Sequence, residues 1–216
     1  MHGTITLDIP RLDGSPVPHW FMKQQEESTH LAVLLPGRAY GLELPLLLYP
    51  TKLLHAKGAD ILGVDYTTYT ASPEMSGEEI QRRLSADIPA ALDVALRQRS
   101  YERITLLGKS LGTIVMAQVL ESNSRLQGAS CIWMTPLLRM EALRARIVRN
   151  PHPALFIGGT ADEQFDLAHL PELENATGGK SVVIEGADHS LEIQGHILES
   201  IDVLRRVMEA IDDFIR

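Results

Sequence analysis

The stretch Ile104-Thr-Leu-Leu-Gly-Lys-Ser110-Leu-Gly-Thr-Ile-Val-Met-Ala-Gln-Val-Leu120 decides the fold of this chain. Its first part, Ile104 to Leu107, is a short apolar run of the kind that forms a buried strand. Its last part, Leu111 to Leu120, is almost wholly apolar and predicts a helix buried nearly all round. Between the strand and the helix, residues 108–112 have the pattern G-x-S-x-G.

A strand that turns directly into a helix forces Ser110 into a strained backbone conformation with a positive φ. Gly108 and Gly112 leave room for this turn, because a Cβ at either position would meet the neighbouring strand or helix. The turn holds the Ser110 hydroxyl at the N-terminus of a helix, where backbone N–H groups can stabilise a developing oxyanion. A glycine-rich turn with an incidental serine is the alternative interpretation.

Length, charge and cysteine content limit the class of protein. The 216 residues suit a single domain from 1 to 216 that buries about 70% of its unfolded surface. The formal net charge of −8 argues against nucleic acid or an anionic membrane surface as a partner. No secretion signal or membrane-spanning apolar run is visible. The single cysteine, Cys131, excludes an intramolecular disulfide, so we expect a cytoplasmic protein.

Strands and helices alternate along the chain after an N-terminal hairpin, which is predicted from residues 4–22 with a turn at 11–16. The other predicted strands are 31–35, 59–64, 104–107, 129–134, 154–157 and 181–184. The predicted helices include 44–56, one that begins after Ser76, one that ends at Val148, a short helix at 166–173, and 197–215. This order predicts a doubly wound, mostly parallel α/β sheet with an antiparallel N-terminal hairpin.

Two helices carry specific signals. Ser76-Gly-Glu-Glu79 has the pattern of a capping box and predicts the start of a helix. Pro89 lies inside that helix and is predicted to kink or break it. In the last helix, apolar residues at helical spacing predict one buried stripe. Its members are Ile197, Ile201, Leu204, Met208, Ile211 and Ile215.

Three loops carry the residue types of a serine hydrolase in the order Ser110, Asp162, His189, and each residue follows a predicted strand. The C-terminal ends of parallel strands meet at one edge of a sheet. A serine nucleophile needs a base to take its proton, and that base needs a carboxylate to fix its tautomer. A lone loop histidine is more often a surface residue, and a lone aspartate more often a turn former. The three together favour catalysis.

The chain resembles the α/β-hydrolase superfamily over nearly all of its length. The elbow Gly108-Lys-Ser-Leu-Gly112, the acid position Gly158-Gly-Thr-Ala-Asp162 and the terminal Gly186-Ala-Asp-His189 are similar to that family's motifs, in the family's chain order. The resemblance implies the α/β-hydrolase fold and a small esterase-like enzyme.

The resemblance also implies a role for each of five residues. Ser110 is the nucleophile, His189 is the general base and then acid, and Asp162 is the orienting carboxylate. The backbone N–H groups of Leu111 and Arg38 form the oxyanion hole. Members of the family often have His-Gly before the second donor, whereas this chain has Pro-Gly there, so no imidazole braces that loop.

Other residues near these positions are alternatives. Glu163 and Asp166 could replace Asp162 as the acid. Asp188 directly precedes the candidate histidine. If that histidine faces the serine, the Asp188 side chain is badly oriented to contact the imidazole. His196 is a second candidate base, although its place at the start of the last helix favours a surface role.

Arg38, Tyr40 and Tyr66 are candidate substrate-binding residues. An arginine at this position can anchor an acidic substrate, although a surface ion pair is its commoner role. The tyrosines can line the site or pack at its rim. Larger members of the family insert a helical cap after the strand at 129–134, whereas residues 135–153 here have room for a single crossover helix. The site should therefore be shallow and open, which suits a small acyl group.

Together these observations predict a cap-less serine hydrolase that cleaves a small ester or thioester through an acyl-enzyme. A peptidase of the same fold and a non-catalytic scaffold with a hydrolase fold are the alternatives. No metal or organic cofactor is expected, because the histidines lack ligand spacing. The expected partner is a small-molecule substrate rather than nucleic acid or a membrane, and the oligomeric state stays open.

Overall fold

The structure, a computed structural model, describes residues 4–11 and 13–216. Leu12, in the predicted turn of the hairpin, lies outside the described residues. The chain divides into two compact units, residues 1–106 and 107–216, and the division falls inside the strand that leads to Ser110. The expectation of one domain from 1 to 216 stays a prediction.

In its described residues, the first unit contains four complete strands and three helices. The strands are β1 (Thr4–Ile5), β2 (His19–Met22), β3 (His30–Leu35) and β4 (Asp60–Val64), and the helices are α1 (Pro45–Ala56), α2 (Thr67–Thr70) and α3 (Gly77–Ala95). The strands pair in the order β1-β2-β4-β3. β1 pairs with β2 and β2 with β4 in antiparallel fashion, and β3 pairs with β4 in parallel. All six residues of β3 are buried, so this strand forms the centre of the unit's core.

Helix α3 starts as its capping signal predicts but does not break at its proline. The Ser76 hydroxyl accepts a hydrogen bond from the N–H of Glu79 at 3.1 Å. The helix runs unbroken through Pro89, although proline removes one backbone hydrogen bond. Ile88 and Leu92 on either side are fully buried, and their burial holds the helix together across that gap.

The second unit contains the end of one strand, three complete strands and four helices. The strands are β5 (Arg103–Lys109), which begins in the first unit, β6 (Ser130–Met134), β7 (Ala154–Gly159) and β8 (Lys180–Ile184), and the helices are α4 (Leu111–Ser122), α5 (Glu141–Arg149), α6 (Leu170–Thr177) and α7 (Ile197–Phe214). The strands follow the order β5-β6-β7-β8, and β6–β7 and β7–β8 are parallel. Only α5 connects β6 to β7, which confirms the predicted absence of a cap.

The buried stripe of α7 differs from the predicted one. Ile211 and Ile215 are buried as predicted, but Ile197 and Ile201 are 70% and 57% exposed, and Val203 and Val207 are buried instead. The helix carries two overlapping apolar stripes, and contacts with β7 and β8 determine which one is buried. The short helix predicted at 166–173 is also displaced, because a 3₁₀ turn occupies Leu167–His169 and α6 follows it.

The predicted fold class is confirmed, since eight strands form a mostly parallel arrangement that begins with an antiparallel hairpin and alternates with helices. Within the part of the chain that the structure describes, no helix is both long and apolar enough to span a membrane.

Candidate active site

Ser110 joins β5 directly to α4. Its φ of 52° and ψ of −114° confirm the predicted positive φ. Such a backbone costs about 1–3 kcal/mol in a residue that has a Cβ, so the surroundings must hold it. The N–H of Ser110 donates to the carbonyl of Met134 at 3.1 Å, and its own carbonyl accepts from the N–H of Thr113 at 2.9 Å. These bonds fix the turn that presents the hydroxyl.

Gly108 allows α4 to start this close to β5. An ideal Cβ on Gly108 would lie 2.6 Å from the carbonyl oxygen of Gly112 and 3.1 Å from the nitrogen of Thr113. Both are backbone atoms of the first helical turn and cannot rotate away. The first glycine of the motif is therefore required by the close approach of helix to strand.

The structure brings Ser110, His189 and Asp162 into one chain of hydrogen bonds within the second unit. His189 Nε2 lies 2.8 Å from Ser110 Oγ, and His189 Nδ1 lies 2.7 Å from Asp162 Oδ2. A carboxylate can only accept, so Nδ1 donates to Asp162 and Nε2 is left to accept from the serine hydroxyl. This is the tautomer in which an imidazole can remove the serine proton.

Burial differs strongly along this chain of hydrogen bonds. The Asp162 side chain is 1% exposed, whereas the His189 side chain is 38% exposed. The Asp162 Oδ1 atom accepts from the N–H of Gln164 at 2.9 Å, so both carboxylate oxygens have donors. The buried carboxylate is thereby fixed, whereas the imidazole side chain is partly exposed to solvent.

The alternative acids and the alternative base have other partners. Asp166 Oδ1 accepts from the N–H of Ala168 and starts the 3₁₀ turn. Asp188 Oδ1 accepts from two backbone N–H groups of its own loop and so shapes the turn. His196 lies 2.9 Å from Glu199 at the start of α7, and its side chain is 61% exposed. In residues 4–11 and 13–216, no three His, Cys, Asp or Glu side chains are grouped to hold a metal ion.

The loop after β7, which carries Asp162, is bonded to the loop after β8, which carries His189. The Thr160 N–H donates to Ile184 O at 2.9 Å, and the Thr160 hydroxyl accepts from the Gly186 N–H at 2.8 Å. The Ala161 N–H donates to Ala187 O at 3.0 Å. These bonds align the carboxylate with the imidazole, and the sequence analysis missed them because only the strand pairing reveals the contact.

Gly159 permits the two loops to touch, and its replacement by alanine should separate them. The added Cβ would lie 1.9 Å from the carbonyl oxygen of Ala187, a backbone atom two residues before His189. We expect Gly159→Ala to lower the free energy of unfolding by about 1–3 kcal/mol. We also expect kcat on an ester substrate to fall about 10²-fold, because the base moves relative to the serine. Thermal unfolding and steady-state kinetics measure the two effects.

Gly77→Ala is the matched control for this substitution. Gly77 is the first residue of α3, and a Cβ there would meet nothing within 4 Å. This variant should keep both the stability and the kcat of the parent protein. If Gly159→Ala behaves like the control, the proposed spacing between the two loops is wrong.

Lys109, the second residue of the G-x-S-x-G motif, is buried beside the serine and is 1% exposed. Its Nζ donates to the carbonyl of His189 at 3.0 Å and to the hydroxyl of Thr135 at 3.2 Å. Burial lowers the pKa of Lys109 to about 8, and the negative charges of Asp162 and Asp188 oppose that shift. The motif pattern treats this position as variable, so the sequence analysis did not single it out.

The N-terminus of α4 supplies the first predicted oxyanion donor. Leu111 is the first residue of the helix, and the first N–H groups of a helix have no carbonyl of the same helix to bond. The positive end of the helix dipole reinforces this donor. Leu111 as a whole is partly exposed.

The loop that contains Arg38, the second predicted donor, lies in the first unit and is braced by side chains from α2 and its N-cap. The Thr70 hydroxyl donates to Arg38 O at 2.8 Å, and Arg38 Nε donates to Thr70 O at 2.9 Å. The Tyr66 hydroxyl donates to Pro36 O at 2.6 Å. These contacts brace the loop, a role that an imidazole often has in the family pattern. They join residues about 30 positions apart, so no local sequence pattern indicates them.

The three predicted substrate-binding residues have defined positions within the first unit. Tyr66 is fully buried, and this burial raises the pKa of its phenol well above the usual value. Because it is buried, Tyr66 supports the loop and offers no surface to a ligand. The Tyr40 hydroxyl accepts from the N–H of Leu46 at 3.0 Å near the start of α1. The Arg38 guanidinium is held by Thr70 rather than by a surface acid.

Comparison with known families identifies the class of this protein. Residues 45–216 match a family model described as an alpha/beta hydrolase domain. The match covers more than half of the chain, and the chain therefore belongs to this family of α/β hydrolases. The enzyme class expected from the sequence, a hydrolase, agrees with the family. None of the curated proteins matches the chain.

Several solved structures share the fold at low sequence identity. Est1E from Butyrivibrio proteoclasticus, solved with bound ferulic acid, is 16% identical with a TM-score of 0.71, over 97% of this chain and 98% of its own. A cold-adapted esterase from an Arctic intertidal metagenomic library is 20% identical with a TM-score of 0.69, over 97% and 92%. XC6422 from Xanthomonas campestris, described as a serine hydrolase without a lid, is 16% identical with a TM-score of 0.65, over 99% and 96%.

Proposed function

We propose that this chain is a serine hydrolase that cleaves a small ester or thioester through an acyl-enzyme. Ser110 is the nucleophile, His189 the base and Asp162 the carboxylate that orients the base. The observation that carries the proposal is the pair of hydrogen bonds at His189, 2.8 Å to Ser110 Oγ and 2.7 Å to Asp162 Oδ2. A scaffold protein needs neither the strained serine nor the buried acid that these bonds join.

In the first half of the reaction, Ser110 Oγ attacks the carbonyl carbon of the ester while its proton passes to His189 Nε2. The tetrahedral oxyanion is stabilised by the backbone N–H of Leu111, and the N–H of Arg38 stays the predicted second donor. The bond from carbon to the leaving oxygen or sulfur then breaks, and His189 gives its proton to the departing alcohol or thiol. The acyl group is left on Ser110.

In the second half, a water molecule attacks the acyl-enzyme while His189 takes the proton from that water. The bond to Ser110 Oγ breaks, and His189 returns the proton to the serine as the free acid leaves. Asp162 stays ionised throughout and stabilises each imidazolium that forms. The partial exposure of the His189 side chain, 38%, supports this scheme, because the attacking water comes from solvent.

Labelling with a fluorophosphonate tests the proposal without a guess about the substrate. The reagent modifies an activated serine, and mass spectrometry of the digested protein identifies the modified residue. A stoichiometric label on Ser110 alone supports the proposed function. A label on another serine, or none on well-folded protein, contradicts it.

The absence of a cap leads to a prediction about acyl-chain length. A single crossover helix connects β6 to β7. Of the residues that could form a longer acyl groove, Leu42, Leu46 and Tyr66 are buried at 3%, 3% and 0% exposure, and Leu137 is partly exposed. Each methylene that is buried contributes about 0.8 kcal/mol, or roughly fourfold in kcat/KM. We expect kcat/KM on p-nitrophenyl esters to peak at acyl chains of roughly two to six carbons and then to level off or fall.

Two comparisons make this measurement specific. If kcat/KM climbs steadily through twelve-carbon esters, the open site is refuted and the proposed catalytic residues are unaffected. To identify the bond that is cleaved, kcat/KM is compared for the ester, the thioester and the anilide of the preferred acyl group. A higher kcat/KM on the anilide than on the ester would favour the peptidase alternative.

A further inference from the structure

A buried lysine next to the proposed nucleophile needs a physical explanation. Lysine is almost never fully buried unless its ammonium group is paired, because an ionised group loses its hydration inside a protein. Lys109 is 1% exposed, and the tight turn places it immediately before Ser110. Replacement of such a buried charge by an apolar side chain is often neutral or stabilising, so stability alone gives no reason for a lysine here.

The contacts of Lys109 link three separate segments around the proposed reaction centre. The ammonium donates to the backbone carbonyl of His189 at 3.0 Å and to the Thr135 hydroxyl at 3.2 Å. The negative charges of Asp162 and Asp188 favour the charged form of the Lys109 ammonium. The residue that precedes the nucleophile thus binds the main chain of the residue that carries the base.

Thr135 and His189, which accept hydrogen bonds from Lys109, lie on strained or irregular backbone. Thr135, at the end of β6, has a φ of 42°, which is unfavourable for a β-branched residue, and it is fully buried. His189 lies between Gly186 and Leu191, which have φ values of 72° and 56°, in a loop without helix or strand structure. A glycine at position 135 would relieve the strain but would remove the hydroxyl that Lys109 binds.

We propose that Lys109 is a positioning residue, whose hydrogen bond to the carbonyl of His189 sets the position of the base relative to Ser110. This inference rests on the proposed function. An imidazole must contact both the serine hydroxyl and the carboxylate, and a displacement of about 1 Å can lower a rate 10²-fold. The bonds between the loops after β7 and β8 align His189 with the acid. Lys109 supplies the corresponding link between His189 and the nucleophile.

The test compares Lys109→Met and Lys109→Gln with the matched control Lys180→Met, which replaces an exposed lysine at the start of β8. Methionine fills the space of the lysine stem without donating a hydrogen bond. We expect kcat to fall about 10²-fold in Lys109→Met with KM nearly unchanged, and the circular dichroism and Tm to be retained. Lys109→Gln, which keeps a donor on a shorter side chain, should lose less. Lys180→Met should behave like the parent.

A second readout does not depend on turnover. The proton between His189 Nδ1 and Asp162 gives a downfield ¹H NMR signal when the imidazole is held in place. We expect this signal to broaden in Lys109→Met and to stay sharp in Lys180→Met. A purely structural lysine would change Tm without a selective effect on kcat or on this signal.

The outcomes separate this inference from the proposed function. If the parent protein is labelled at Ser110 and Lys109→Met keeps its kcat and its sharp signal, the positioning role is wrong and the function stands. If the parent is not labelled, the function fails, and the proton signal alone decides whether Lys109 fixes His189. If Lys109→Met does not fold, Lys109→Leu, which also lacks a donor, provides both readouts, and an unchanged kcat with a sharp signal again overturns the inference.

Discussion

Ser110→Ala is expected to abolish fluorophosphonate labelling and to lower kcat on the order of 10⁶-fold, with the fold retained. The substitution removes only the oxygen that lies 2.8 Å from His189 Nε2, and alanine keeps the Cβ of the strained position. Steady-state kinetics and mass spectrometry of the labelled protein measure the loss. Circular dichroism and thermal unfolding measure whether the fold persists.

Ser122→Ala is the matched control for this variant. Ser122 ends the same helix that Ser110 precedes, and its hydroxyl donates only to carbonyls of that helix. This control should keep the label and the activity. Retention of label or turnover by folded Ser110→Ala would show that another residue is the nucleophile.

Asp162→Asn is expected to lower kcat about 10⁴-fold while the fold stays intact. The amide can place its NH₂ group against His189 Nδ1, which drives the proton to Nε2. An imidazole protonated at Nε2 cannot accept the serine proton, so the base is lost although the geometry is kept. Measurement of kcat for the variant and the parent over the same pH range tests this expectation.

Glu163→Gln and Asp166→Asn are the controls for the role of the acid. Glu163 is exposed, and Asp166 starts the 3₁₀ turn through the N–H of Ala168, a bond that asparagine can also accept. Both variants should retain most of the parent's kcat. A larger loss in either of them than in Asp162→Asn would move the role of the acid to that residue.

The sequence predicted the elements around Ser110 because their signals are local. The apolar run before the G-x-S-x-G pattern and the apolar segment after it lie close to the observed β5 and α4. Ser76 likewise caps α3 through the N–H of Glu79, three residues along the chain. Where a residue's role depends on residues close to it in the chain, the sequence pattern is enough to predict that role.

The details that the sequence did not predict depend on contacts between distant residues. Thr70 holds Arg38 across 32 residues, and Lys109 reaches His189 across 80, so no local pattern records either contact. In α7, apolar residues lie both on the predicted stripe and beside it, and packing buries Val203 while Ile201 stays exposed. At Pro89 the helix does not break, because the burial of α3 outweighs one missing backbone hydrogen bond.

The positive φ of Ser110 means that the best residue for stability at this position differs from the residue that the proposed reaction needs. Glycine adopts this backbone without the penalty of a Cβ, so Ser110→Gly relieves strain that the native protein retains. We expect a laboratory selection for heat resistance alone to enrich glycine at position 110, and the resulting lineage to gain melting temperature as it loses the proposed nucleophile. Directed evolution of this chain therefore has to screen for turnover in every round.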